Sequence, residues 1–197
     1  MADLVTAANV KAFLNITAAT YDTFIGELIT RASAFIEAQC GRIFAETTYE
    51  ELYDGDGGYE LVLDNYPLTE LIAFSEDYDR KTGTVNDSID LDDIVLQKAT
   101  GVIETIDFSI AEGRKNIYVK YSAGYETTPP DISMLCIDLV ARKFKESAHG
   151  DNRIGVSAKS VMNENVTFSF ADMSAMHKDI IKMYARTKLI RGMTVGN

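Results

Sequence analysis

The sequence predicts an α+β protein: a mainly helical core with an antiparallel β region inserted near residues 45–123. Three observations carry that expectation. Apolar residues recur every three or four positions up to residue 40 and again after residue 130, as they do on one face of a helix. Between those stretches they fall in short alternating runs punctuated by Gly, Asp and Pro. The chain of 197 residues is 46% hydrophobic and 25% charged, a balance that can bury a core.

The first helix is predicted near 6–14, with Thr6 as its N-cap and Val10, Phe13 and Leu14 on one side. A longer one is predicted near 22–40. Its residues Phe24, Ile25, Leu28, Ile29, Ala32, Phe35 and Ile36 keep helical spacing, and Gly41 suits the left-handed position beyond its end. Thr47–Tyr53 is then rich in β-favouring residues, Asp54-Gly55-Asp56-Gly57-Gly58 is turn-like, and Tyr59, Leu61 and Leu63 alternate with Glu60, Val62 and Asp64. Together these predict a β-hairpin. After Pro67, Leu68–Phe74 reads as a strand, and so do Ile94–Leu96, Gly101–Ile103 and Ile117–Tyr121. The polar stretch Glu76–Asp93 reads as an exposed loop.

Gly124 and the Pro129-Pro130 pair close the β region, since a proline pair precedes a helix but does not sit inside one. The helix predicted near 131–148 carries Ile132, Leu135, Cys136, Leu139, Val140 and Phe144 on its apolar face. Arg142, Lys143 and Lys145 fall in its last turns, where positive charge suits the helix dipole. Residues 151–165 are polar, and Val166–Phe170 alternates like a strand. A last helix is predicted near 174–190, capped by Ser174 and bearing Met176, Ile180, Ile181, Met183 and Tyr184.

No apolar run approaches the roughly 18 residues of a membrane span, and Met1–Leu4 does not open a signal peptide. No membrane partner is expected. Cys40 and Cys136 each lie on an apolar helix face and read as buried free thiols.

The formal net charge is -11, which argues against a protein that grips duplex DNA. The charge is uneven. Residues 45–93 hold 15 acidic residues against Arg80 and Lys81, a net of -13, whereas residues 151–197 have a net of +3.

A search for catalytic chemistry returns little. The two histidines, His149 and His177, lack partners at metal-ligand spacing and read as surface residues. No nucleophile elbow, zinc-protease helix, phosphate-binding loop or dinucleotide fingerprint is present, and a hydrolase built on carboxylate pairs has no recognisable frame. Catalytic residues, metal ligands and cofactors are therefore assigned as none. One alternative comes from Asp54–Glu60 and the acidic stretch after Glu76: a calcium- or ligand-binding β module with helical flanks. The twelve-residue calcium loop would need a bidentate Glu where Asn65 stands, and a turn accounts for the same residues. Lys178, Lys182 and Arg186 make a basic stripe on the last helix.

The ordered set of signals resembles the head–tail connector (adaptor, DNA-packaging or head-completion) family of tailed bacteriophages. The resemblance lies in three blocks. The first is Thr6–Asn15 followed by Ile29–Phe44. The second is Tyr53-Asp54-Gly55-Asp56-Gly57-Gly58-Tyr59 followed by Leu61–Leu68. The third is Ile117–Tyr125 followed by Pro130-Asp131-Ile132 and its helix. Together they span most of residues 5–148.

The resemblance implies a virion structural protein of the neck and not an enzyme, present in the host cytoplasm during assembly. It implies a ring of about twelve copies below the portal protein that extends the DNA channel and offers its far side to a stopper or tail-completion protein. Double-stranded DNA would pass through without sequence-specific binding. On this view residues 1–150 form the connector-like domain with its β insertion, and 151–197 form an extension with a tether and a docking helix. Portal docking is expected from Met176, Lys178, Ile180, Lys182, Met183 and Arg186. An acidic loop of Asp87, Asp90, Asp92 and Asp93 is expected to face the lumen and repel phosphates.

Overall fold

The fold was obtained as a computed structural model that describes residues 2–76, 87–147, 168–169 and 173–185, with Asp87 and Ser88 described by backbone only. The chain divides into two compact units, a helical one on both flanks and a β unit formed by the segment 45–126 between them.

The helical unit contains α1 (Ala7–Leu14), α2 (Asp22–Cys40), α3 (Pro130–Glu146) and α4 (Ala175–Tyr184). Its boundaries follow local chemistry. Thr6 Oγ1 accepts from the Asn9 amide at 3.3 Å and caps α1. Gly41, at φ 64°, closes α2 in the left-handed conformation. Pro130 opens α3 at the first helical position, where no amide hydrogen is needed. Ser174 Oγ accepts from the His177 amide at 3.2 Å and caps α4. The predicted continuation of this helix to residue 190 lies, beyond Ala185, outside the described residues.

The core of this unit is the face read from the sequence: Ile25, Leu28, Ile29, Ala32 and Ile36 of α2 and Ile132, Leu135, Cys136, Leu139 and Val140 of α3, all buried. Both cysteines are free and buried. Burial pushes the Cys40 thiol up to about 11 and the Cys136 thiol up to about 12, so neither is a nucleophile at neutral pH.

The β unit contains β1 (Thr47–Gly55), β2 (Glu60–Val62), β3 (Leu68–Glu76), β4 (Asp87–Ser88), β5 (Ile94–Gln97), β6 (Val102–Thr105) and β7 (Gly113–Ala123). They form two antiparallel sheets, one of order β1-β7-β3-β4 and one of order β2-β6-β5. A single apolar cluster takes residues from both, with Leu61 and Ile103 from the smaller sheet and Phe74, Ile117, Val119 and Tyr121 from the larger. Alternation along β7 puts Ile117, Val119, Tyr121 and Ala123 on the core face.

The hairpin expected around Asp54–Gly58 is corrected. β1 pairs with β7 and β2 pairs with β6, so the turn carries the chain from one sheet to the other. The reason is visible at the turn. Asp54 Oδ1 accepts from the Lys115 amide at 2.7 Å, the Gly55 amide donates to Asn116 Oδ1 at 3.0 Å, and the Ile110 amide donates to the Gly58 carbonyl at 2.8 Å. The segment is held by the distant stretch 110–116 and not by its own partner strand. At Gly55 a Cβ would lie 1.8 Å from the Ala111 carbonyl oxygen, so only glycine fits this approach.

Within the stretch expected as a loop over 76–93, β4 pairs with the end of β3 through Ser75 and Glu76, and Leu91–Asp93 forms a 3-10 turn. Residues 77–86 lie outside the described residues. Of the strand expected at Val166–Phe170, Phe168 and Ser169 are described and carry no regular structure.

Candidate assembly surfaces

At one end of the β unit the strand register gathers residues far apart in sequence. β1 starts at Thr47 opposite Ala123 and ends at Gly55 opposite Gly113. The chain thus enters and leaves the unit at one end, and the turns 54–60, 89–94 and 104–116 meet at the other. Backbone hydrogen bonds tie those turns together. The Thr105 amide donates to the Tyr59 carbonyl at 2.8 Å, and the Ile106 amide donates to the Asp93 carbonyl at 3.0 Å. The Ala111 amide donates to Glu76 Oε1 at 3.3 Å.

This end exposes Asp54, Asp56, Glu60, Asp90, Asp92, Asp93, Asp107 and Glu112, against the exposed cations Arg114 and Lys115. Of the predicted acidic loop, Asp90, Asp92 and Asp93 belong here. Asp90 Oδ1 accepts from the Asp92 amide at 3.2 Å and caps the 3-10 turn. Asp87 lies in β4, its side chain undescribed. Sequence reading found the 87–93 group but not its neighbours from 54–60 and 104–112, because only strand pairing brings them together.

The turn aspartates also bear on the calcium alternative. Asp54 holds the Lys115 amide, and Asp56 Oδ1 accepts from the Gly58 amide at 3.0 Å. Among the described residues no group of three or more His, Cys, Asp or Glu side chains is placed to hold a metal ion.

Behind the acidic end, Glu51 anchors a polar network. Tyr121 donates to Glu51 Oε2 at 2.6 Å, and Tyr53 donates to the same oxygen. Asn65 Nδ2 donates to Glu51 Oε1 at 3.3 Å and to the Tyr121 hydroxyl at 3.1 Å. The Asp64 amide donates to the Tyr53 hydroxyl at 3.0 Å. Burial first, then the adjacent Glu51 carboxylate, pushes both phenols well above their ordinary range. These hydroxyls act as hydrogen-bond donors that lock β1, β7 and the 63–65 turn together.

In the helical unit, α4 seats one face and leaves another open. Ile181 and Met173 are buried, and Tyr184 packs edge-on to Phe44 with centroids 5.8 Å apart. His177 Nε2 lies 3.3 Å from Asp138 Oδ2 of α3, with only 14% of its side chain accessible. The surface position expected for His177 is therefore corrected; the histidine bridges α4 to α3. Its two-residue offset from Asp179 and four-residue spacing from Ile181 place it on the buried face, a signal the sequence did hold. His149 lies outside the described residues.

The predicted docking residues sort cleanly. Met176 and Met183 are 61% and 65% exposed, and Ile180 is half-buried. All three share a face by their spacing of four and three. Lys182 is exposed and 3.4 Å from Asp179, Lys178 is half-buried, and Arg186 lies outside the described residues.

The described residues present two surfaces, an acidic end on the β unit and, on the helical unit, an outward methionine face on α4. The family model of head completion proteins matches residues 3–187, and the chain belongs to that family.

Solved structures share the fold at low sequence identity. One is from the neck of an empty gene transfer agent (GTA) particle computed with C6 symmetry, with a TM-score of 0.59, 15% identity, and coverage of 96% of this chain and 93% of that one. A second, from the virion of a native GTA particle, gives 0.58 at 15% identity with the same coverage. A third, from the neck of a native GTA particle computed with C12 symmetry, gives 0.57 at 17% identity and covers 98% of each chain. No curated protein matches the sequence.

Proposed function

We propose that this chain is a structural protein of a virion neck, a head-to-tail adaptor that forms a ring below the portal, extends the DNA channel and gives the stopper or tail its attachment site. The observation that carries the reading is the family match over residues 3–187, and the fold shared with chains from GTA necks supports it. C6 and C12 symmetry in those neck structures supports a ring of about twelve copies here, built on heterologous contacts. The role is architectural, with no catalytic step and no cofactor, and the protein passes from the host cytoplasm into the virion.

Two surfaces take parts in this reading. The acidic end of the β unit, with Asp90, Asp92 and Asp93, faces the channel and repels DNA phosphates, so duplex passes without being gripped. The outward face of α4, with Met176, Ile180 and Met183, docks on the portal, and Lys178, Lys182 and Arg186 steer it. Residues 1–150 act as the connector domain, and 151–165 act as the tether of the docking helix.

Electron microscopy of the purified protein mixed with a portal protein from the same source tests the reading. A new ring stacked coaxially on the narrow end of the portal is the expected result, and no added density at soluble concentrations overturns it. Truncation after residue 150 should abolish the stacked ring; full affinity without α4 removes the docking assignment. Reversing Asp90, Asp92 and Asp93 to Lys should slow packaging or ejection, and unchanged kinetics would remove the channel assignment.

A further inference from the structure

Among the described residues two aromatic side chains are exposed, and their settings differ. Tyr59 (58% exposed) stands on the turn that leads into β2, and Phe13 (48% exposed) stands on α1. The backbone under Tyr59 is pinned. Its carbonyl accepts from the Thr105 amide at 2.8 Å and from Thr105 Oγ1 at 3.3 Å, and the Gly58 carbonyl before it accepts from the Ile110 amide at 2.8 Å. The chain therefore holds an apolar ring out in water on a fixed support, between the exposed carboxylates of Asp56 and Glu60. A single exposed apolar residue needs no explanation. An aromatic ring on a fixed backbone is different, because a partner gains its contact area with little further cost of ordering.

Phe13 sits in a concavity instead. An open cavity of about 380 Å³ between α1, α3 and α4 is lined by Phe13, Ala141, Arg142, Lys145, Glu146 and His177. Asp138 also reaches it, but its carboxylate is engaged by His177. A water molecule claims about 30 Å³ of liquid, so the space holds a large side chain. The α3 side of the rim is cationic. Glu146 pairs with both Arg142 and Lys143, at 2.9 and 3.1 Å, while Lys145 is exposed and has no ion-pair partner among the described residues. Three cations thus stand against one carboxylate beside an unpartnered ring.

One setting is convex, aromatic and acidic; the other is concave, aromatic and basic. We propose that Tyr59 of one copy inserts into the α1–α3–α4 cavity of a second copy, against Phe13, with Asp56 and Glu60 facing Lys145 and Arg142. A rigid Tyr in a pocket, ringed by complementary charge, is the make-up of an interface anchor. The contact joins two different faces of the same chain, so it passes from copy to copy and can close into a ring. It also leaves the proposed channel surface open. Tyr59 leads into β2 and Asp93 leads into β5, and these strands are the opposite edges of the sheet of order β2-β6-β5. The inference rests on the ring reading and names the contact between neighbours.

Full-length protein with a photo-crosslinking benzoylphenylalanine in place of Tyr59 tests the contact. Irradiation of concentrated protein is expected to give products of dimer mass and above, with crosslinks mapped by mass spectrometry to α1 around Phe13 and to 138–146 of a second copy. Glu60→Lys or Lys145→Glu alone should lower the yield about threefold, the scale of an exposed charge pair. The two together should restore it, with the folded state of each variant checked by circular dichroism. Products of monomer mass only, crosslinks confined to other parts of the chain, or a double variant no better than the single ones would overturn the proposal. A ring that stacks on the portal equally well with Tyr59→Ala would remove this contact and leave the adaptor reading standing. Crosslinks into the cavity with no stacked ring would uphold the contact and count against that reading.

Discussion

The two units of this protein carry their charge differently. Residues 45–126, which form the β unit, contain 19 acidic and 6 basic residues, a net of -13; the flanking stretches 1–44 and 127–186 contain 11 of each. The whole negative excess of the chain thus belongs to the inserted unit. In the helical unit the charges are partnered locally: Lys11 with Asp22 at 2.6 Å, and Arg142 and Lys143 with Glu146 at 2.9 and 3.1 Å. In the β unit Lys120 pairs with Glu50 at 2.7 Å across β7 and β1, while most carboxylates at the far end are exposed beside one another. Self-repulsion of that kind lowers stability slightly and does nothing for the fold. The contrast is one of placement: the helical unit's ion pairs join near neighbours of the same unit, whereas the β unit collects exposed carboxylates from distant turns at one end.

The comparison can be broken most directly through the cores. Phe74→Ala in the β unit and Leu135→Ala in the helical unit each remove a fully buried side chain and should cost about 3–4 kcal/mol. If the units are separately cooperative, hydrogen exchange will show each variant losing protection mainly in its own unit. Uniform loss throughout the chain in both variants would show one cooperative structure instead.

A somewhat smaller effect is expected from the polar interior of the β unit. Glu51→Ala leaves the Tyr53 and Tyr121 hydroxyls and the Asn65 amide without their shared acceptor, at a cost of about 2–3 kcal/mol in urea unfolding. The loss should exceed that of Glu50→Ala, since Glu50 makes an exposed ion pair worth about 1 kcal/mol or less. Equal losses would mean that the network contributes no more than the surface pair.

The corresponding polar group of the helical unit is Glu37, 4% exposed, whose Oε1 accepts from the Phe44 amide at 3.1 Å while Oε2 is buried without a partner. Burial holds its carboxyl above the usual carboxylate range. The folded chain therefore binds this proton more tightly than the unfolded chain. Below the ordinary carboxylate range the proton is present in both states, and as pH rises through the folded value its stabilising effect is lost. Glu37→Gln keeps the acceptor without the titration, so its Tm relative to the parent should rise between pH 4 and pH 7. A difference independent of pH would show that Glu37 does not titrate in the folded state.

The smallest effect is expected at the acidic end. Asp92→Lys with Asp93→Lys should leave stability within about 0.5 kcal/mol, or raise it slightly by relieving repulsion. A loss of several kcal/mol would show that these carboxylates hold the fold after all, and would undo the contrast between the units.

Much of the helical unit was legible in the sequence because its rules are local. A helix joins each amide to a carbonyl four residues back, so apolar spacing, Thr6 and Ser174 as caps, Gly41 and Pro130 mark it without knowledge of the rest. The spacing of His177 from Ile181 marks its buried face locally, but its partner Asp138, 39 residues away, is set by tertiary packing. Strand positions were also legible from alternation, and β3, β5, β6 and β7 fall where the runs predict them. Their partners were not. An Asp/Gly turn between two alternating runs satisfies the local rule for a hairpin whether or not the strands pair. Here Asp54 and Gly55 are claimed by Lys115 and Asn116, and the acidic end exists only because 54–60, 89–94 and 104–116 are brought together. The sequence by itself determined the α+β class, the helix ends, the strand segments and the sign of the charge, all properties of short stretches of chain. Tertiary structure alone decided which strands pair, where the carboxylates and exposed apolar residues collect, and which face of α4 stays open, because those depend on contacts between residues distant along the backbone.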